Sequence, residues 1–247
     1  YAKDKYLNGD IYEGEIHELE RHGKGILNFD CGDKYEGEWA NNSFHGVGKY
    51  TWEDGDFYIG EWKNDQKEGF GTQKYGDGEI YSGQWKNHKK DGKGVLTFQS
   101  GEEYEGNWRD DKFHGFGTFK FQNGDTYKGD WKDDKREGKG ILTLQDGEEY
   151  EGDWKDNHVH GFGTFKYKNG DIYKGDWKND KREGKGTFYY KSGLKCEGTW
   201  VNHVLQPCVK IQYKNGEWYE GEIDNEQSLK RNGKGTCIYK NGDIYSG

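Results

Sequence analysis

The feature that most constrains this chain is a period of 23 residues. A tyrosine followed by x-Gly-x-(Trp/Ile) begins at Tyr12, Tyr35, Tyr58, Tyr81, Tyr104, Tyr127, Tyr150 and Tyr173; Cys196 takes the next slot and Tyr219 the one after. Each unit adds Gly-x-Gly eleven residues beyond its tyrosine, as in Gly46-Val47-Gly48 and Gly138-Lys139-Gly140. A fixed period of this size marks a repeat architecture in which each unit needs its neighbours to bury a face.

Both halves of a unit alternate with period two, the pattern of strands rather than helices. In the unit at Tyr104, the residues Tyr104, Gly106 and Trp108 share one face, and Gly115, Gly117, Phe119 and Phe121 share another. The simplest hairpin sets Trp108 against Gly117, Gly106 against Phe119 and Tyr104 against Phe121, with rings over missing side chains. That register puts Glu105 opposite Lys120, Glu151 opposite Lys166 and Lys128 opposite Thr143, unlike charges being favourable across strands. Asn-Gly or Asp-Gly between units, as at Asn123-Gly124 and Asn169-Gly170, signals tight turns. The predicted fold is all-β: an elongated single-layer solenoid of antiparallel β-hairpins, a rod on the order of 100 Å at about 4.8 Å per strand.

Composition agrees. Glycine and aromatic residues each number 41, proline appears once and methionine never. Few aliphatic residues remain for a layered α/β core. Charged residues reach 34%, with a net charge of -9, which argues against a nucleic-acid footprint. No stretch approaches the roughly 18 apolar residues of a membrane span. Cys31, Cys196, Cys208 and Cys237 form no CxxC pair, which fits a reducing cytoplasm better than a secreted disulfide scaffold. The N-terminus holds neither initiator Met nor signal sequence, and Tyr245-Ser246-Gly247 opens an eleventh unit, so the reading is one array over residues 1–247, continuing beyond both ends. The repeats at 196–218 and 219–244 are irregular: Pro207-Cys208-Val209 replaces Gly-x-Gly, and three extra residues lie within Asp224 to Asn232. A kink or cap is expected near Cys196 to Val209.

The units, for example Tyr127-Lys128-Gly129-Asp130-Trp131 followed by Gly138-Lys139-Gly140, resemble MORN repeats (membrane occupation and recognition nexus), and the resemblance spans essentially the whole chain. It implies a stack of hairpins used for protein binding and often self-association. MORN arrays occur in ciliary radial-spoke heads, protist cytoskeletal scaffolds, junctional tethers and phosphatidylinositol phosphate kinases. The motif contains no catalytic residue and implies no cofactor.

Candidate sites follow from what departs from the packing rule. Phe70, Phe116 and Phe162 fill the x of Gly-x-Gly at 46-residue intervals and point away from the glycine face, where they form a protein-binding or homodimer surface. His45, His114 and His160 precede Gly-x-Gly where Asp91, Glu137 and Glu183 stand in other units, either as a structural ladder or as a pH-sensitive one. His203 and Cys208 flank the loop of the broken repeat and offer two of the roughly four ligands that zinc takes. Lys135, Arg136, Lys181 and Arg182, with Lys67, Lys89 and Lys90, define a basic rim for a phosphoinositide headgroup, largely cancelled by neighbouring acids. The expected function is a non-enzymatic scaffold in the cytoplasm, in a cytoskeletal or ciliary assembly; the competing one is a lipid-binding or regulatory arm of an enzyme such as a lipid kinase.

Overall fold

The computed structural model describes residues 1–247 and is built from 23 strands joined by turns. It has no helix long and apolar enough to cross a membrane. Consecutive strands pair antiparallel in chain order, so hairpin follows hairpin. The strands fall into two compact units, Tyr1–Gln122 with Lys132–Asp134 and Asn123–Trp131 with Lys135–Gly247.

The hairpin register differs from the expected one by two residues. Strands Glu103–Arg109 and Lys112–Lys120 set Tyr104 opposite Phe119, Gly106 opposite Gly117 and Trp108 opposite Phe113. Between Gly106 and Asn107 the partner jumps from Gly117 to His114, leaving Gly115 and Phe116 outside the ladder as a bulge. Two extra residues preserve the inward and outward alternation, so the sequence pattern is blind to them. Gly115 takes φ 60°, a left-handed backbone that favours glycine. As a result Glu105 faces Thr118 and Glu151 faces Thr164, while the ion pairs form one step away, Lys120 to Glu103 and Lys166 to Glu149, each 2.6 Å.

The second glycine of Gly-x-Gly has a different task. The tyrosine ring lies over both the glycine two residues along its own strand and the glycine paired with it. A Cβ on Gly71 would stand 2.3 Å from Tyr58 Oη, and one on Gly60 would stand 2.4 Å from Gly71 Cα. Rings do lie over glycines, but a single tyrosine ring covers two of them, Gly60 on its own strand and Gly71 on the paired strand. The Tyr58 hydroxyl donates to the Glu61 carbonyl at 3.0 Å, and burial raises its pKa above the ordinary tyrosine value. Tyr58 also meets Trp62 edge-on at 5.0 Å and Trp85 of the next repeat at 5.3 Å. Tryptophans then tie back: Trp62 Nε1 donates to the Gly48 carbonyl at 3.1 Å and Trp108 Nε1 to that of Gly94 at 3.2 Å, whereas Trp200 Nε1 in the ninth repeat is buried without a partner. Within each unit the core is thus a ladder of edge-on aromatic pairs, each worth about 0.5–1.5 kcal/mol beyond its buried area.

Two turn types alternate. Inside a repeat, two-residue turns such as Asn64-Asp65 hold both φ values positive, 48° and 64°, the type I′ geometry that matches strand twist. Between repeats, Asn169-Gly170 belongs to a three-residue loop, in which Tyr167 N donates to Asp171 O and Gly170 N to Tyr167 O, both at 2.9 Å. Gly170 closes it with φ 92°. The Asn-Gly signal therefore marks the right place with a longer turn, and the tight turns are the two-residue ones, mostly Asn and Asp pairs, with Glu18-Leu19, Asn87-His88 and Asn202-His203 as the others.

The ninth repeat keeps its hairpin, where a kink or cap is expected. Cys196 is fully buried in the tyrosine slot, between Phe188 and Ile211. Leu205 and Val209 close over Gly198, so aliphatic groups fill the space left by the missing ring. The strand is split into Val204–Leu205 and Cys208–Gln212, yet Cys208–Gln212 pairs onward with Trp218–Ile223.

Candidate interaction surfaces

One column of side chains decides which cations face solvent. Arg21, Phe44, Lys67, Lys90, Phe113, Arg136, Val159 and Arg182 recur every 23 residues and pack against the aromatic ladder. Phe44 stacks on Tyr35 at 3.8 Å. Lys67 takes the same position with its ammonium 5.1, 5.0 and 4.9 Å from the ring centres of Trp52, Tyr58 and Trp85, and it donates to Gln73 Oε1. Only 9% of Lys67 is exposed, and burial pushes its ammonium down to about 8. Burial lowers Lys90 too, which lies over Tyr75, Tyr81 and Trp108. These cations are held by ring quadrupoles, their stems covering apolar surface.

The basic rim is therefore divided. Arg136 turns inward, its guanidinium 4.4 Å from the Trp154 ring centre and its Nη2 donating to the Asn157 carbonyl at 2.7 Å. Arg182 lies over Tyr173 and forms an ion pair with Glu226 at 2.6 Å. Lys135 and Lys181 point outward, each to a turn partner, Asp156 at 2.8 Å and Asn202 at 3.3 Å. So of Lys135, Arg136, Lys181 and Arg182, two belong to the core, which corrects their placement on one rim. The signal for this was present: a column that holds Phe44, Phe113 and Val159 must face inward, whatever charge its other members carry.

The same column is fastened by the following repeat. The amide of Lys90 donates to Asp111 Oδ1 at 2.8 Å, that of Phe44 to Asp65 Oδ1 at 2.7 Å and that of Arg136 to Asn157 Oδ1 at 2.8 Å. In each case the acceptor is the second residue of a type I′ turn, 21 residues further on.

On the opposite face Phe70, Phe116 and Phe162 are 61%, 52% and 56% exposed. Phe70 and Phe116 lie in the first unit, with Val47 in the same slot, and Phe162 lies in the second. At Phe70 and Phe162 the bulge is capped by a carboxylate, the amide of Phe70 donating to Glu61 Oε1 at 2.9 Å and that of Phe162 to Asp153 Oδ2 at 3.0 Å, while at Phe116 Asn107 Nδ2 donates to the Phe116 carbonyl at 3.2 Å. In the next column Glu68, Glu137 and Glu183 accept the amides of Asn87, Asp156 and Asn202. His45, His114 and His160 occupy that slot in other repeats; the Nδ1 of each is buried without a hydrogen bond, and that of His114 lies 3.6 Å from Asp133 Oδ1.

His203 packs edge-on against Trp177, and its Nδ1 accepts the Arg182 amide at 3.2 Å. Burial, with Arg182 and Lys181 nearby, lowers its pKa. Cys208 is exposed and paired with Glu222. With one histidine nitrogen already engaged, the two residues remain short of a zinc ligand set.

The family model for the MORN repeat matches residues 35–57, 58–80, 81–103, 104–126, 127–149, 150–172, 173–195 and 230–244, omitting the first repeat and the irregular stretch after Lys195. No curated protein matches the chain in sequence. Among solved structures, the TCP10 domain of Danio rerio CPAP in complex with a peptide of Danio rerio STIL is similar, at 12% identity and a TM-score of 0.45, over 100% of this chain and 98% of that one. The same domain alone gives 12% and 0.46 over 92% and 100%. The SAS-4 (dCPAP) TCP domain of Drosophila melanogaster in complex with a proline-rich motif of Ana2 (dSTIL) gives 12% and 0.33 over 81% and 83%. Likenesses at this level carry no argument about binding or activity.

Proposed function

The chain belongs to the MORN repeat family, and from that premise we propose that it is a non-enzymatic cytoplasmic scaffold that binds protein partners and a second copy of itself, within a cytoskeletal or ciliary assembly. The observation that carries the reading is the exposure of Phe70, Phe116 and Phe162, at 61%, 52% and 56%, on the face turned away from the aromatic ladder. Large exposed apolar groups on a folded surface mark interaction sites. The amides of Phe70 and Phe162 and the carbonyl of Phe116 are held at the bulges, so the rings are presented from a fixed backbone. The place in a cytoskeletal or ciliary assembly is supported by where MORN arrays occur.

The test is quantitative crosslinking of the tagged chain in cell extract, comparing wild type with Phe116→Asp/Phe162→Asp. Loss of a defined set of crosslinked proteins, with circular dichroism and melting unchanged, is the expected outcome. An unchanged set would overturn the role of this face. Co-sedimentation of both forms with phosphoinositide vesicles at physiological salt would replace the scaffold by the lipid-binding arm.

A further inference from the structure

The outer face of the first unit carries a row of residues in perfect cross-strand register: Lys49, Ile59, Thr72, Ser82, Val95 and Glu105. Read from its centre, between Thr72 and Ser82, the row is chemically palindromic. It runs hydroxyl, aliphatic, cation in one direction and hydroxyl, aliphatic, anion in the other. Thr72 and Ser82 share a hydrogen bond at 2.9 Å, which fixes that centre. In the neighbouring row Phe70 and Gln84 pair at the same centre; across the bulges beside them lie Glu61, whose Oε1 accepts the Phe70 amide, and Lys93, whose amide donates to Gln84 Oε1. Ile59 is 46% and Phe70 61% exposed, while Lys49, Glu61, Lys93 and Glu105 are all at the surface.

We propose that this face is the self-association surface, binding a second copy about a two-fold axis parallel to the strands and midway between Gln66–Lys74 and Ile80–Lys86; it rests on the reading that the chain self-associates. A two-fold contact must be self-complementary, each residue meeting its mirror position in the other copy. Here that operation places Lys49 on Glu105, Glu61 on Lys93, Ile59 on Val95 and Thr72 on Ser82, each pair formed twice. The two sheets stack with aligned strands, the ordinary face-to-face arrangement. Six strands at about 4.8 Å and roughly seven residues at about 3.3 Å cover about 670 Å² per copy. Doubled, that enters the range of about 1,200–2,000 Å² found for specific interfaces. The chain carries a net charge of -9, so two copies repel in general, and a surface on which Glu61 and Glu105 each meet a lysine lessens that opposition locally.

The test uses the 247-residue chain in sedimentation equilibrium. Lys49→Glu alone and Glu105→Lys alone each convert two attractive pairs into two repulsive ones, and each variant is expected to dimerise about tenfold more weakly than wild type. An equimolar mixture of the two regains two opposite-charge pairs, and its heterodimer is expected to form within about threefold of the wild-type affinity. Neither residue lies in the aromatic core, and melting curves confirm that each variant is folded. If both variants dimerise as tightly as wild type, or the mixture is no tighter than either alone, this face is not the interface, though self-association stands on another surface. A wild-type chain that stays monomeric at every concentration overturns the inference and removes self-association from the proposed function.

Discussion

Replacing Gly94 by alanine tests the packing rule directly. A Cβ there would lie 2.3 Å from Tyr81 Oη and 2.5 Å from Cε2 and Cζ, against the ~3.5–4.0 Å of ordinary contact. The ring has nowhere to go: Tyr81 is fully buried, edge-on to Trp85 and to Trp108 at 5.1 Å each, and its hydroxyl donates to the Gln84 carbonyl at 2.9 Å. Overpacking costs about 1–3 kcal/mol. Displacing the hydroxyl from its acceptor adds about 1–3 kcal/mol if it stays buried. The stiffer unfolded chain returns about 0.4–1 kcal/mol. We predict a net loss of about 2–4 kcal/mol. The control is Gly101→Ala, where a Cβ meets nothing within 4 Å but φ is 89°, for a cost of about 1–2 kcal/mol. Stability in a repeat array is local, so the assay is native-state hydrogen exchange on peptides spanning residues 80–97, supported by urea unfolding followed by tryptophan fluorescence. In a double-mutant cycle, Gly94→Ala should cost little on a Tyr81→Ala background. The reasoning is refuted if Gly94→Ala costs less than Gly101→Ala, or costs the same with and without the ring.

Three further predictions follow from named contacts. Burial holds the Lys67 ammonium near 8 against 10.5 unfolded, so the unfolded chain binds more protons between those values and stability rises with pH across that window. Above about pH 10 the sense reverses, because burial keeps tyrosines such as Tyr58 and Tyr104 protonated while unfolded ones ionise. Lys67→Met should raise the urea midpoint more at about pH 7 than at about pH 9.5, and an equal shift at both would contradict this assignment. Asp111→Ala removes the acceptor for the Lys90 amide and puts alanine at φ 68°, so exchange protection in Lys89–Thr97 should fall by about 1–3 kcal/mol; unchanged protection of the Lys90 amide counts against the tie. Glu226→Gln leaves the part-buried Arg182 guanidinium without its carboxylate and should cost about 2 kcal/mol, read as faster exchange in Lys181–Tyr189, with Lys230→Gln as a neutral control.

How much of this was legible depends on what the alternation of residues encodes. The period, the strands, the aromatic face and the outward phenylalanines are set by which side of a strand a residue occupies, and the sequence displays that directly. The register is not, because a bulge of two residues at Gly115-Phe116 leaves the alternation intact while sliding Glu105 from Lys120 to Thr118. Arg136 and Arg182 were misplaced for another reason. Read singly, an arginine beside a polar turn belongs in water, and only comparison down the column with Phe113 and Val159 shows the slot to be inward. At the ninth repeat, where Cys196 and Pro207-Cys208-Val209 lead to the expectation of a kink or a cap, Leu205 and Val209 over Gly198 make a change of filling. The surface row from Lys49 to Glu105 could not be assembled before the register was known, since its members come from six strands.

Amide ties cross between repeats in both directions: the Asn87 amide is held by Glu68 of the repeat before it, whereas Lys90 waits for Asp111 and Phe44 for Asp65 of the repeat after. On a ribosome the successor arrives later. At about 5–20 residues per second, 23 residues take roughly one to five seconds, during which the newest hairpin holds an open amide beside its aromatic rings. Folding during synthesis therefore trails elongation by one repeat, and a chain halted between repeats always displays the same unfinished edge.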